Sequence, residues 1–175
     1  CQESIIQRGC DMKLSKYFSL REMVFSKIAE DNDIDNTPTP EILEKLKYTA
    51  SQLDKVRELL NKPVNISSGY RCLQVNRRLG SKDTSQHLKA EAVDFKCELF
   101  GSPKKVFDKI RESDIQFDQL ILEFNSWVHI SFVKTGGRRE CLVIDSDPRQ
   151  QIELIQLAKM QVLTPNAKFS EVIFQ

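Results

Sequence analysis

The chain contains only two histidines, and the residues around them are those whose types and spacing could do chemistry. His87 lies in TSQHLKAEAVDF (84–95), seven positions before Asp94, and His129 lies in WVHISF (127–132). A catalytic zinc site uses about three ligands of the His, Asp, Glu and Cys types and keeps one position for water. A local pair, His87 and Asp94, and a distant His129 could form one such site. Taken singly, each histidine is more often a surface or structural residue than a metal ligand.

Strand periodicity bears on where His129 points. In a strand over WVHISF, alternation places Trp127, His129 and Ser131 on one face and the apolar residues between them on the other. His129 is therefore expected to point away from the aliphatic core, as a ligand in a groove would.

The elements that must position these residues form an α+β pattern. The capping box SLRE (19–22) predicts a helix running through Met23 and Ala29. Thr39-Pro40 opens an amphipathic helix over 40–61, and further helices are predicted at QVNRRLG and near 103–113. Strands are predicted at VNISS, EAVDFKC and ECLVID, with a hairpin at FDQLILEF-NS-WVHISFV. We expect a small antiparallel sheet with helices packed on it, and a last helix in DPRQQIELIQLAKMQVL.

Three motifs occur in the order SSGYR (67–71), SQHLKAEAVD (85–94) and EFNSWVHISF (123–132). Together they resemble the zinc D-Ala-D-Ala carboxypeptidase and L-alanyl-D-glutamate endopeptidase family, whose pattern is SGYR, SxHxxGxAxD and a strand ending in WVH or WH. MKLSKYFSLREM and DNTPTPEILEKL are similar to its small phage-type branch. The resemblance runs from about Met12 to Arg139 and implies a hedgehog/DD-peptidase-like fold. It departs at Ala90, where the family has glycine, and a methyl group there is tolerable if φ stays negative.

The resemblance implies roles residue by residue. His87, Asp94 and His129 would hold one Zn²⁺, with water as the fourth ligand. Arg71 would bind a substrate carboxylate or carbonyl, although a structural arginine at a strand end is the alternative. The remaining predicted substrate-binding residues are Ser85, Gln86 and Trp127; Trp127 could equally just close the hairpin.

The general base is the least determined assignment. Many relatives carry a carboxylate three residues before the last histidine, where this chain has Ser126. The phage-type branch has EFxxWVH, which favours Glu123. A three-residue hairpin loop, 124–126, would place Glu123 on the face of His129, whereas a two-residue loop would turn it away. A solvated hairpin carboxylate is the alternative for Glu123, and Glu91 and Asp118 are the other candidate bases.

Composition excludes several classes of protein. The 175 residues suit one domain, and a net charge of +1 gives no reason to expect nucleic-acid or membrane binding. Five cysteines without a CxxC spacing favour reduced, mostly buried thiols, although Cys1 and Cys10 could pair. The N-terminus has no secretory-signal pattern and does not begin with Met, so the chain is either processed or part of a longer product. We expect synthesis in the cytoplasm and action at the cell wall or periplasm, as a free enzyme or from a virion.

The predicted organisation is an N-terminal extension (1–11), a zinc domain (12–145) and a C-terminal helical extension (146–175). The apolar C-terminal segment should pack on the domain or dock on a partner chain. The leading function is a zinc peptidase acting on peptidoglycan stem peptides, as an endolysin, virion-associated or bacterial wall enzyme. The alternatives are a non-catalytic virion or binding protein with the same fold, and a zinc-dependent interaction module.

Overall fold

A computed structural model describes residues 12–145 of the chain. The two predicted extensions and the predicted helix after Asp145 lie outside the described residues. Cys1 and Cys10 also lie outside them.

The helices begin at polar caps that are visible in the sequence. They are α1 (Leu20–Val24), α2 (Lys27–Asp31), α3 (Pro40–Leu60), α4 (Leu73–Arg78), a 3₁₀ helix η1 (Gln86–Lys89) and α5 (Pro103–Arg111). The single helix predicted over Met23 to Ala29 is two helices, because the chain leaves helical geometry at Phe25 and Ser26. The Ser26 hydroxyl then caps α2 by accepting from the backbone N–H of Ala29 at 3.2 Å, which satisfies one of the free donors of the first turn.

Helix α3 is the main support of the core. Thr39 accepts from the backbone N–H of Ile42 and Pro40 takes the first turn, as the sequence predicts. Its apolar stripe is fully buried, namely Leu46, Ala50, Leu53, Val56 and Leu60. It is flanked by exposed charged residues, so the helix presents one face to the sheet side of the domain.

Five strands form one sheet in the order β1-β2-β4-β3-β5. They are β1 (Asn65–Ser68), β2 (Ala92–Lys96), β3 (Gln119–Glu123), β4 (Trp127–Ser131) and β5 (Glu140–Ile144). The first four pair antiparallel, and β5 joins β3 in parallel. The α+β class is confirmed; the parallel direction of β5 was not expected, since an alternating pattern does not specify which neighbour a strand chooses.

The two faces of the sheet differ in chemistry. Val93, Phe95, Val128 and Ile130 alternate onto one face and belong to the buried core cluster. Asp94 and His129 lie opposite each other in register on the other face. This second face, which we call the site face, therefore carries the polar residues that the sequence singled out.

The cysteines of the described part of the chain are free. Cys97 is buried, Cys72 is half-buried and Cys141 is exposed on β5. Within residues 12–145, no helix combines the length and the apolar character needed to cross a membrane.

Candidate metal centre

The site face brings His87, Asp94 and His129 together, with their candidate ligand atoms all within 4.8 Å of one another. The imidazole rings are 5.1 Å apart between centroids. The three residues are only 4, 7 and 8% exposed, in that order. Zinc bonds of ~2.0–2.1 Å in a tetrahedron place ligand atoms about 3.4 Å apart. Two nitrogens and one carboxylate oxygen that converge in this way suit a single Zn²⁺, after small side-chain shifts.

His87 is held in the orientation that a metal ligand needs. Its Nδ1 donates to the backbone carbonyl of Gly69 at 2.7 Å, and its Nε2 lies 3.3 Å from Oδ1 of Asp94. A carbonyl bound to one ring nitrogen fixes the tautomer and leaves the other nitrogen free to bind metal. The backbone of η1 supports the ring, because Ser85 accepts from the backbone N–H of His87.

Position 69 requires glycine because the backbone of Met23 passes too close for a side chain. A Cβ at this position would collide with the carbonyl oxygen of Met23, which also accepts from the backbone N–H of Tyr70. A side chain at position 69 would push the end of β1 away from α1 and displace the carbonyl that holds His87. The role of this glycine was not evident from sequence, because Met23 is far away in the chain.

Asp94 connects the cluster to Arg71. Its Oδ1 lies 2.7 Å from Nδ1 of His129, and its Oδ2 accepts from Nη2 of Arg71 at 2.7 Å. Arg71 Nε donates to the Ser68 hydroxyl at 2.8 Å. Burial works to raise the pKa of Asp94, but the charge of His87 and the hydrogen bonds from His129 and His87 outweigh it. The pKa is held well below its usual range, so this carboxyl group stays ionised.

Glu123 lies beside the cluster. The hairpin loop has three residues, 124–126, and Glu123 pairs with Trp127 across it. Phe124 and Asn125 both adopt left-handed backbone angles, which turn the chain tightly. Of the two loops that the sequence left open, this is the one that directs Glu123 to the site face, with Oε1 4.0 Å from Nδ1 of His129. Burial raises the pKa of Glu123, and the negative charge of Asp94 acts in the same direction.

Trp127 is half-buried at the end of the site face. Its indole packs edge-on against Phe124, with ring centroids 5.2 Å apart. Its buried Nε1 has no hydrogen-bond partner among the described residues. The ring therefore packs on the hairpin loop and lies next to Glu123 on the site face.

The Gln86 side chain is bound to a buried carboxylate, Asp118, which is also paired with the exposed Arg138. Its Nε2 donates to Oδ2 of Asp118 at 2.9 Å. Arg138 donates to both oxygens of the same carboxylate, at 2.9 and 2.7 Å. These bonds, with the arginine first, lower the pKa of Asp118 to about 2. A carboxylate so strongly bound is a poor proton acceptor, and the third candidate, Glu91, lines a different hollow with Lys45 and Tyr48.

Ala90 has a positive φ of 57°. The expectation that a methyl group is tolerable here required a negative φ, so that condition is not met. The residue ends η1 in the left-handed region and is fully buried. Its carbonyl accepts from the Thr49 hydroxyl at 2.7 Å, which ties the turn to α3. A non-glycine residue here carries strain of about 1–2 kcal/mol, and the surrounding contacts hold it in place.

The α+β fold and the buried His-Asp-His cluster together define a class, a mixed α/β domain with a group of side chains that could hold one metal ion. Sequence comparison makes the assignment more specific. The sequence model of the Peptidase M15 family matches residues 16–131, so the chain belongs to this family of zinc metallopeptidases. No significant match was found among curated proteins.

Proposed function

We propose that this chain is a zinc-dependent peptidase that cleaves peptide bonds in the stem peptides of peptidoglycan. The observation that carries the proposal is the convergence of three buried ligand candidates, with the half-buried carboxylate of Glu123 beside them. The three sequence motifs support the substrate class, because they resemble those of D-Ala-D-Ala carboxypeptidases and L-alanyl-D-glutamate endopeptidases.

In this proposal His87 Nε2, Asp94 and His129 Nδ1 hold the metal. Zinc in such a site polarises the scissile carbonyl and lowers the pKa of a bound water to ~7. Gly69 keeps the His87 ring in place through its carbonyl, and Arg71 keeps the Asp94 carboxylate aligned. Hydrogen-bonded supports of this kind orient metal ligands and usually affect affinity when they are removed.

Glu123 is the general base that we propose. It shares the site face with His129 and is near enough to take a proton from a water lying between itself and the three ligands. Burial raises the pKa of Glu123 above its ordinary value, which makes its carboxylate a stronger proton acceptor. Neither Asp118 nor Glu91 offers this combination of position and free carboxylate oxygens.

The remaining predicted substrate-binding residues surround this centre. Arg71 uses Nε and Nη2 internally and would offer its remaining N–H groups to a substrate carbonyl or carboxylate. Ser85 and Gln86 directly precede His87, and Trp127 lies two positions before His129 in β4. We assign Ser85, Gln86 and Trp127 to substrate placement because they are close in sequence to the proposed ligands His87 and His129.

We place the activity in a bacterial wall or phage setting, as an endolysin, a virion-associated enzyme or a bacterial wall hydrolase. The opening MKLSKYFSLREM and the linker DNTPTPEILEKL, which are similar to the phage-type branch, support this setting. The bond cleaved, D,D-carboxypeptidase or L,D-endopeptidase type, depends on the walls of the cleft.

The test is mass spectrometry of muropeptides after purified peptidoglycan is incubated with the zinc-loaded protein. We expect stem peptides shortened at one bond, and no products when a chelator is present. Intact muropeptides despite one bound zinc per chain would reject the enzyme and favour a non-catalytic virion or binding protein with this fold. Failure to bind zinc at all would reject the metal centre itself.

A further inference from the structure

A hollow of roughly 310 Å³ lies at the end of the sheet where β2 leaves it and the β3–β4 hairpin turns. Its walls come from two segments that are far apart in sequence. They include Lys96, Glu98, Gly101, Pro103, Asn125 and Ser126. The hollow lies outside the metal cluster, and none of these residues has a role in the function proposed above.

Lys96 connects the hollow to the site face. It lines the hollow, and it follows Asp94 by two positions in β2, so alternation places both side chains on the same face. Two residues along a strand span about 7 Å. The register of β2 with β4 also places Lys96 next to Trp127, since Phe95 pairs with Val128. A peptide that extends past Glu123 and Trp127 reaches Lys96 within about two residues.

Lys96 is the cation among the described wall residues of the hollow, and its charge also acts on the wall carboxylate Glu98. The side chain is exposed, and within residues 12–145 its ammonium group makes no salt bridge. The acidic wall residue, Glu98, accepts from the Asn65 amide at 2.8 Å on the β1 side.

We propose that this hollow is a substrate subsite, in which Lys96 binds a carboxylate of the peptide two or so residues from the scissile bond. The inference rests on the proposed function and specifies its substrate class, a stem peptide that carries a free carboxylate at that position. Lys96 is then a specificity-determining residue, since in this proposal it contacts the substrate away from the scissile bond.

The experiment compares two synthetic stem peptides that differ only in a carboxylate or a carboxamide at this position. For the zinc-loaded wild-type protein we expect a KM about tenfold lower for the carboxylate peptide, as one charge-assisted hydrogen bond supplies. Lys96→Met should remove this preference with kcat little changed, and Lys96→Glu should reverse it. Lys109→Met is the matched control, because Lys109 is an exposed lysine on α5 outside the hollow. It should behave as wild type.

Binding of the same two peptides, measured by calorimetry on zinc-loaded Glu123→Gln protein, separates this proposal from the proposed function. If the wild type cleaves but Lys96→Met keeps the carboxylate preference, the subsite is wrong and the peptidase stands. If nothing is cleaved but carboxylate binding depends on Lys96, the subsite stands and the peptidase is wrong. Equal binding of both peptides to Glu123→Gln and Glu123→Gln/Lys96→Met overturns the subsite directly.

Discussion

Glu123 is the residue whose role is most sharply testable, because its position separates metal binding from catalysis. The carboxylate lies 4.0 Å from His129 without being one of the three clustered ligands. Glu123→Gln should therefore retain one zinc per chain and lose about 10²- to 10⁴-fold in turnover, the usual cost of removing a general base. Metal analysis and initial rates on one preparation give both numbers.

His129→Ala is the control for that prediction. It removes a ligand, so zinc and activity should disappear together. Near-normal cleavage by Glu123→Gln would remove Glu123 from the mechanism.

Replacing Ala90 with glycine should have opposing effects of similar size on the free energy of unfolding. Ala90→Gly relieves about 1–2 kcal/mol of left-handed strain. It also loses about 0.8 kcal/mol from one buried methyl group and about 0.4–1 kcal/mol through the greater freedom of the unfolded chain. We expect these effects to cancel, so that the free energy of unfolding stays within about 0.5 kcal/mol of wild type. Urea denaturation provides the measurement.

Ala92 offers a matched control, because it is equally buried and its φ is not positive. Ala92→Gly loses a methyl group and gains backbone freedom without relieving strain, so it should destabilise by about 1–2 kcal/mol. Equal destabilisation by the two glycine variants would mean that position 90 is not strained.

At the scale of elements, the ion pair between Asp118 and Arg138 links the residue before β3 to the segment before β5. The pKa of Asp118 is about 2 in the folded chain against 3.8 for the free side chain. Because the folded-state pKa is the lower one, this contribution to stability is complete above pH 3.8 and is lost as the pH falls through about 2. The contribution is about 1–2 kcal/mol once solvent screening at the exposed Arg138 is included.

Asp118→Asn should accordingly lower the free energy of unfolding by about 1–2 kcal/mol at pH 7, and by only a small part of that near pH 2. Denaturation curves over this pH range provide the measurement. Asp83→Asn is the comparison, because Asp83 pairs with Arg77 on the exposed surface and should cost much less. A pH-independent loss in Asp118→Asn would show that the charge is not responsible.

Helix α3 illustrates what the sequence predicts well. Its start depends on Thr39 and Pro40, and its face depends on apolar spacing, all of which are local. The parallel direction of β5 and the break between α1 and α2 were not predictable in this way. They depend on which distant segments pack together.

The site, too, has features that the sequence predicts and features that depend on distant contacts. The sequence nominated the three clustered residues through the family resemblance, and the structure brings them together, although zinc binding itself stays a prediction. The hydrogen bonds from Thr49 to the Ala90 carbonyl and from His87 to the Gly69 carbonyl were not predictable. Both acceptors are backbone atoms, which leave no signature in residue types. The loop length that orients Glu123 depended on left-handed angles in 124–125, where neither residue is a glycine.

At the scale of the whole molecule, the sequence places an apolar segment, QQIELIQLAKMQVL, after the described residues. The last strand, β5, exposes Leu142, Val143 and Ile144. We expect deletion of the residues after 147 to reduce solubility or thermal stability, or to change the assembly state, because the segment should cover apolar surface on this domain or a partner.

Thermal denaturation and size-exclusion chromatography of the full and shortened chains test this expectation. Unchanged solubility, stability and assembly would mean that the segment is a passive tail.

The register between β2 and β4 has a consequence for engineering and for natural length variation. Asp94 faces His129 directly, and the neighbouring pair, Phe95 and Val128, belongs to the core. Inserting or deleting one residue within β4 would bring Val128 or Ile130 opposite Asp94 and turn the imidazole into the apolar interior. A single change in the length of β4 would therefore disrupt both the packing of the core and the arrangement of the three ligand candidates. Tolerated insertions are expected instead between β4 and β5, in the exposed stretch 134–139.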